Sequence, residues 1–378
     1  MSGLNPLFAR VSTAVLLLAF SACSLSATKG VESEKKDKTP DFRIAVVGDT
    51  MLDASAAQVM KREGYDYAFA GSAPLYADSE IVLANLEGPL TSRGDKADKK
   101  YTFRSPAAVA TALKAAGINA VTLANNHSLD YGEPGLSDTI KALKASGIGY
   151  FGAGENRHAA REALIMKVGG VRIGMLGYSL TFPEEFWAGE SRAGTAFGHR
   201  QWIIDDVTAL KKRVDLVLVS FHWGQEGKTK LRSYQPLLAH AAIDAGADVV
   251  IGHHPHIAQG IERYRGRAII YSLGNYVFGS YSNRVQYGLV GVFTVHDKKI
   301  SELKLMPVDV NNFRVQFRPV ALKGEPLATA VKQLQTLSLQ RGTTLQQEGD
   351  QLRLPLPGPA PAEQQAGETK AGEEKAGE

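Results

Sequence analysis

Five short apolar runs in this chain each end in side chains able to bind a metal ion, and that repetition restricts the fold more than any bulk property. Residues 43–47 lead to Gly48-Asp49, 81–84 to Asn85-Leu86-Glu87-Gly88, and 120–124 to Asn125-Asn126-His127. Residues 216–221 lead to His222-Trp223-Gly224, and 249–251 to Gly252-His253-His254-Pro255-His256. Apolar runs this short, bounded by polar residues and glycine, read as buried strands. Residues 268–271 add another. Helical patterns fill intervals at 54–62, 106–116, 134–145, 201–212 and 235–245. Three of them stop at Gly117, Gly147 and Gly246, as suits the residue after a helix end. Strands alternating with helices predict an α/β fold with mostly parallel strands. Residues 289–296, 300–307 and 315–320 then read as strands in close succession, which predicts antiparallel hairpins.

In open α/β sheets, sites gather beyond the carboxyl ends of the strands. The five chain-distant loops are therefore expected to converge on one crevice. Of nine histidines, His127, His222, His253, His254 and His256 lie in these loops, joined by Asp49 and Glu87. One such histidine alone would be unremarkable; five at strand ends with two carboxylates point to metal. Carboxylate, imidazole and amide oxygen together suit Mn, Fe or Zn, and the lack of thiolates argues against a structural zinc site.

The two ends of the chain read differently. Arg10, an apolar run at 11–20 and Ser21-Ala22-Cys23 give a signal peptide over residues 1–22. That run is shorter than the roughly 20 residues a membrane span needs. Phe20-Ser21-Ala22-Cys23 resembles a bacterial lipobox, which implies lipidation of Cys23. It is the single cysteine, so no intrachain disulfide can form. Residues 23–41 are polar and charge-mixed, as expected of a flexible tether behind a lipid anchor. The folded domain is expected at 42–322, a short helical C-terminal extension at 323–353, and a disordered Pro/Ala/Gly/Glu-rich low-complexity tail at 354–378. Lys and Arg number 43 against 39 Asp and Glu, with no basic stripe interleaved with aromatics, so nucleic acid is not expected as a partner.

The segments GDTML, ANLEGPLT, LANNHSLDYG, SFHWGQE, GADVVIGHHPHIAQGIE and YSLGNYVF, in that order over about residues 42–281, resemble the motif series of the CapA family, named for poly-γ-glutamate capsule synthesis. The resemblance implies the calcineurin-like metallophosphatase fold, a four-layer α/β/β/α sandwich with mixed sheets and two divalent metal ions at the strand ends. Carried onto this chain, it makes Asp49, Glu87, Asn126, His222, His254 and His256 metal ligands and His127 the general acid. Asn85 and His253 become further ligands or supporting neighbours. Metallophosphatases usually carry Asp-x-His in the first motif; here it reads Asp49-Thr50-Met51, which thins the shell of one metal.

Two metals about 3.5–4 Å apart can clamp a phosphoryl group and acidify a water between them, while a protonated His127 within reach could supply the leaving oxygen with its proton. Arg104 is a candidate anion contact and Trp223 a candidate stacking wall for substrate. Asn275, in Leu273-Gly274-Asn275, reads as part of a shaping turn beside the substrate. Gly227-Lys228-Thr229 is no phosphate loop, because His222 stands where such a loop needs glycine. The expectation is an exported, lipid-anchored hydrolase, facing the periplasm or cell exterior, that cleaves phosphoesters during capsule, poly-γ-glutamate or envelope polymer synthesis or export. Its expected partners are an anionic polymer or phosphoester substrate, the membrane, and polyglutamate synthase or export components. The alternatives are a non-enzymatic polymer-binding accessory and an ecto-phosphatase unrelated to capsule.

Overall fold

The computed structural model describes residues 40–356. The signal segment 1–22, Cys23, nearly all of the expected tether and the end of the expected tail lie outside the described residues. Strand Phe42–Met51 is buried at every position except Arg43. It pairs in parallel with Ile81–Leu86, which leads on to Ala120–Thr122 and then Gly149–Phe151. On its other edge it meets Tyr287–His296 antiparallel over residues 42–46 and Asn275–Phe278 in parallel near Asp49. Lys299–Asp309 and Gln351–Pro355 extend this sheet outward. The second sheet runs in the order Ile261–Tyr264, Arg267–Ile270, Val249–His253, Leu216–His222, Val171–Ser179, Leu164–Val168. Its four inner strands are parallel and its edge strands antiparallel. Both sheets are mixed.

Successive strand residues face opposite ways, so strands buried on both sides need apolar residues at every position. Ile44, Val46 and Leu83 meet Met175, Leu218 and Ile251 in a core between the two sheets. On the far side of the first sheet, Ala45 and Val47 pack with Val59, Leu113 and Leu136 from helices Ser55–Glu63, Ala108–Ala115 and Gly132–Ala145. The far side of the second sheet packs against Ile203, Val207, Leu238 and Ala242 from helices Arg200–Lys211 and Tyr234–Asp244. The result is the α/β/β/α layering the motif resemblance implied. Among the described residues no helix is long and apolar enough to cross a membrane.

Two expectations are corrected toward the C-terminus. Residues 315–320 do not form a strand. Asn311 accepts the Phe313 amide and caps a single turn, Asn312–Val315, and Gln316 and Phe317 then take left-handed backbone. The segment after 322 is also more than a short helical extension. Helix Gly324–Leu339 buries Leu327, Ala330, Val331 and Leu334 in the intersheet core. Strand Gln351–Pro355 sets Leu352 opposite Leu305, and Leu352, Leu354 and Leu356 are buried. Alternate leucines bury one face of this strand, so the fold continues to residue 356 rather than giving way to a tail at 354.

Candidate metal centre

Within each sheet the parallel strands bring their carboxyl ends together, and ligand atoms from the two sheets meet within 4.8 Å of one another, so the ligand-bearing loops share one end of the sandwich. Asp49 sits where the register of Phe42–Met51 shifts against both neighbours, and such irregularities re-aim side chains. A Cβ on Gly48 would lie 2.0 Å from the Gly274 carbonyl oxygen, so only glycine lets the strands close here. Gly252, ahead of the histidine cluster, is equally constrained, with the Tyr271 carbonyl oxygen 2.0 Å from such a Cβ. Beyond it, His254 and His256 hold φ of 94° and 60°. Left-handed backbone at a non-glycine residue costs about 1–3 kcal/mol and persists only where surrounding structure imposes it.

Asp49, Glu87, His222 and His254 are buried. Two sets of ligand atoms emerge, Asp49–Glu87–His222 and Glu87–His254–His256, each with its atoms within 4.8 Å of one another. Glu87 belongs to both sets. Its Oε1 is buried with no hydrogen-bond partner among the described residues, as is Nδ1 of His254. Buried polar atoms are nearly always satisfied, so these orphans mark a place where cations fit. His222 Nε2 lies 2.8 Å from Asn126 Oδ1 and 3.7 Å from Glu87 Oε1, which brings Asn126 into the same group.

Around this group a set of amides aims the ligands. Asn85 Nδ2 donates to Asp49 Oδ1 at 2.9 Å and to Glu87 Oε2 at 3.1 Å, while its oxygen accepts from Asn125. Asn85 therefore orients two carboxylates through its amide nitrogen. His256 Nδ1 lies 2.9 Å from Asn275 Oδ1, an acceptor that fixes the proton on Nδ1 and frees Nε2, 3.9 Å from Glu87. Asn275 thus positions a ligand. His253 is buried with Nδ1 3.2 Å from Asp49 Oδ1, without the alignment of a hydrogen bond.

The electrostatics separate the ligands. Burial opposes ionisation of Asp49, but the close approach and charge of His253 and His256 win and hold it well below the carboxylate range. Burial, then the charge of Asp49, pushes Glu87 well above that range. Burial and the neighbouring histidines pull His222 down and His254 to about 3. Burial would lower His256 too, yet the Glu87 charge and the contact with Asp49 outweigh it and raise the ring to about 9. Neutral His222 and His254 beside the ionised Asp49 form a donor set for a divalent cation, whose binding would release the proton that Glu87 and His256 hold.

His127, next to Asn126 in the chain, is nearly buried against the Phe103 ring at 4.7 Å. Its Nδ1 lies 2.7 Å from Asp130 Oδ2. A carboxylate only accepts, so the proton sits on Nδ1 and Nε2 is left for chemistry. Burial lowers this imidazole's pKa against the opposing pull of Asp130. Asp130 is fully buried, and its second oxygen takes the Lys99 ammonium at 2.7 Å. Lys99 also donates to the Asn126 carbonyl oxygen. Neither Asp130 nor Lys99 was foreseen from sequence. The signal for Asp130 was an acid three residues after His127 within LANNHSLDYG; Lys99 comes from a polar loop with no signal.

Two expected substrate contacts fare differently. Trp223 is no stacking wall. It is fully buried, parallel to Phe221 at 4.5 Å, with its Nε1 donating to the Tyr271 carbonyl oxygen. Its residue follows the strand residue His222, so it turns into the outer core of the second sheet. Arg104 is exposed and lies 4.5 Å over the Tyr131 ring. Among the described residues no hydrogen bond or ion pair joins it to the ligand group.

A four-layer α/β/β/α sandwich with a histidine and carboxylate cluster at the strand ends defines a mixed α/β protein with a candidate metal centre. Within that class, residues 43–280 match the family model described as bacterial capsule synthesis protein PGA_cap. This chain belongs to that family. It is 32% identical over 305 residues to the capsule biosynthesis protein CapA of Bacillus anthracis, covering 79% of this chain and 74% of that one. It is 30% identical over 300 residues to the PGA biosynthesis protein CapA of Bacillus subtilis, covering 79% and 78%. Among solved structures, the 5'-nucleotidase precursor from Thermus thermophilus is similar with a TM-score of 0.43 at 14% identity, over 79% of this chain and 59% of that one.

Proposed function

We propose that this protein is an exported, membrane-tethered hydrolase that cleaves phosphoesters during capsule or poly-γ-glutamate synthesis or export. The observation that carries the reading is the pair of ligand sets sharing Glu87, with the His127–Asp130 pair on the adjoining loop. Divalent ions such as Mn, Fe or Zn, when bound, would supply Lewis-acid charge for a phosphoryl or carbonyl group and acidify a water. Asp49, Glu87, Asn126, His222, His254 and His256 would hold them. Asn85 and Asn275 keep the carboxylates and His256 aimed. Asp130 holds the Nδ1 proton of His127 and favours its imidazolium against burial; in that form a second proton, on Nε2, can pass to the departing oxygen and leave the ring neutral. Lys99 balances the buried Asp130 charge. Export and tethering rest on the signal-like segment and Cys23, and the capsule role on the family.

A specific observation favours a second reading, that of a polymer-binding accessory without catalysis. Met51 occupies the place of the usual first-motif histidine; it is buried, and its sulfur meets the Asp53 amide at 3.2 Å. It brings no nitrogen ligand to the centre. Hydrolysis of a chromogenic phosphodiester with added manganese separates the two readings. Wild-type activity lost in His127→Ala and His254→Ala is the expected result. Activity indifferent to both changes removes the catalytic reading, and an inactive wild type that retains polyglutamate supports the accessory.

A further inference from the structure

The end of the sandwich opposite the metal centre has a charge pattern of its own. There the inner strands of the second sheet begin, at Val171, Leu216, Val249 and Arg267, beside the start of Phe42–Met51. The turn at 297–298 joins them, because Val295 lies opposite Phe42 and Lys298 reaches Asp215 at 3.3 Å. Asp215 also holds Arg172, Asp244 holds Arg265, and Asp248 holds Lys211 and Arg267. That consumes these acids. Lys167, Lys212, Arg213, Arg263 and Lys299 remain exposed, with no ion-pair partner among the described residues. Against them stands the exposed Asp297, and toward the first sheet Asp41, Asp78 and Glu80, the first two paired with His296 and Arg43.

The chain enters the fold on this same face. A Cβ on Gly169 would meet the Pro40 ring at 2.9 Å, in the turn between Leu164–Val168 and Val171–Ser179. Asp41 pairs with His296 beside Lys299. We propose that this basal face rests on anionic lipid headgroups, holding the metal centre away from the bilayer. Basic side chains near an anionic surface bind it additively and lose that attraction within a Debye length. Entry of the N-terminal segment here favours a lipid surface over a soluble polyanion, which would be needed at the opposite end, by the metals. The inference rests on the membrane tethering of the proposed function and is independent of catalysis.

Co-flotation of the full chain with vesicles tests it. Phosphatidylcholine vesicles are compared with vesicles of equal parts phosphatidylcholine and phosphatidylglycerol. The apolar segment 11–20 contributes alike to both, so the readout is the ratio. Wild type is expected to prefer the anionic vesicles by about tenfold or more, with the preference erased by salt. The combined Lys212→Glu, Arg213→Glu and Lys299→Glu variant is expected to lose the preference. Thermal unfolding checks its fold, and the milder Lys212→Gln, Arg213→Gln pair, expected to weaken the preference partly, replaces it if needed. Equal binding by wild type, or an unchanged preference in the variants, overturns the proposal. So does release from vesicles by soluble polyglutamate that binds the same residues more tightly.

Discussion

His127 sits among groups that decide what it can do. Asp130 holds its Nδ1 proton at 2.7 Å and burial disfavours its cation. Under the catalytic reading, His127→Ala should lower turnover by about 10²–10⁴-fold with bound metal unchanged, as measured by phosphodiesterase assay and elemental analysis. Glu87→Gln is a different case, because this residue belongs to both ligand sets. It should abolish stoichiometric binding of both ions in an elemental analysis, whereas His222→Ala weakens one set. The ligands also give a pH signature. In metal-free protein, His256 is raised to about 9 from its usual 6.5, and Glu87 is raised as well. The folded pair therefore shares a proton that the unfolded chain releases, and stability contributed below about pH 6.5 fades as pH rises toward 9. The lowered His222 and His254 act only below their usual 6.5, where acid destabilises the fold. Chelated protein should then melt lower at pH 9 than at pH 6.5, while the stabilisation from added manganese grows over that interval. A melting temperature that rises with pH after chelation would contradict this account.

At the scale of elements, glycine at two strand ends decides whether the centre closes. Gly48→Ala would press a methyl group into the Gly274 carbonyl, which also accepts the Asp49 amide at 3.0 Å. The cost should be about 3 kcal/mol or more, read by denaturant unfolding, with loss of metal. The elements themselves were unevenly legible. Helices at 54–62, 106–116, 134–145, 201–212 and 235–245 lie within about two residues of those observed, because each presents an apolar stripe to one sheet. Strand Val171–Ser179, an inner strand of the second sheet, passed unread, since Gly174 and Gly177 interrupt its apolar run. The edge strands Leu164–Val168 and Gln346–Glu348 carry exposed residues and owe their existence to their neighbours.

For the whole molecule, the intersheet core includes the C-terminal helix and the last strand. A chain ending at 322, where sequence patterning placed the domain boundary, would uncover Ile261, Leu303 and Leu305 along with the partners it removes. Leu334→Ala alone should cost about 2–5 kcal/mol in thermal or denaturant unfolding, and truncation at 322 should yield little folded protein by circular dichroism. A fully stable truncated chain would show that the segment decorates the core without completing it. The sequence by itself determined the class of fold and most of the side chains that gather at the candidate metal centre, because buried parallel strands are continuous apolar runs and their ends must be followed by the loops that build sites. Only the tertiary structure decided which polar residues serve those ligands. Asn85, Asn275, Asp130 and Lys99 act across separations fixed by sheet register, while Trp223, as aromatic as any substrate platform, is claimed by the core. Orientation is a property of packing, and a residue's chemistry alone does not say which way it points.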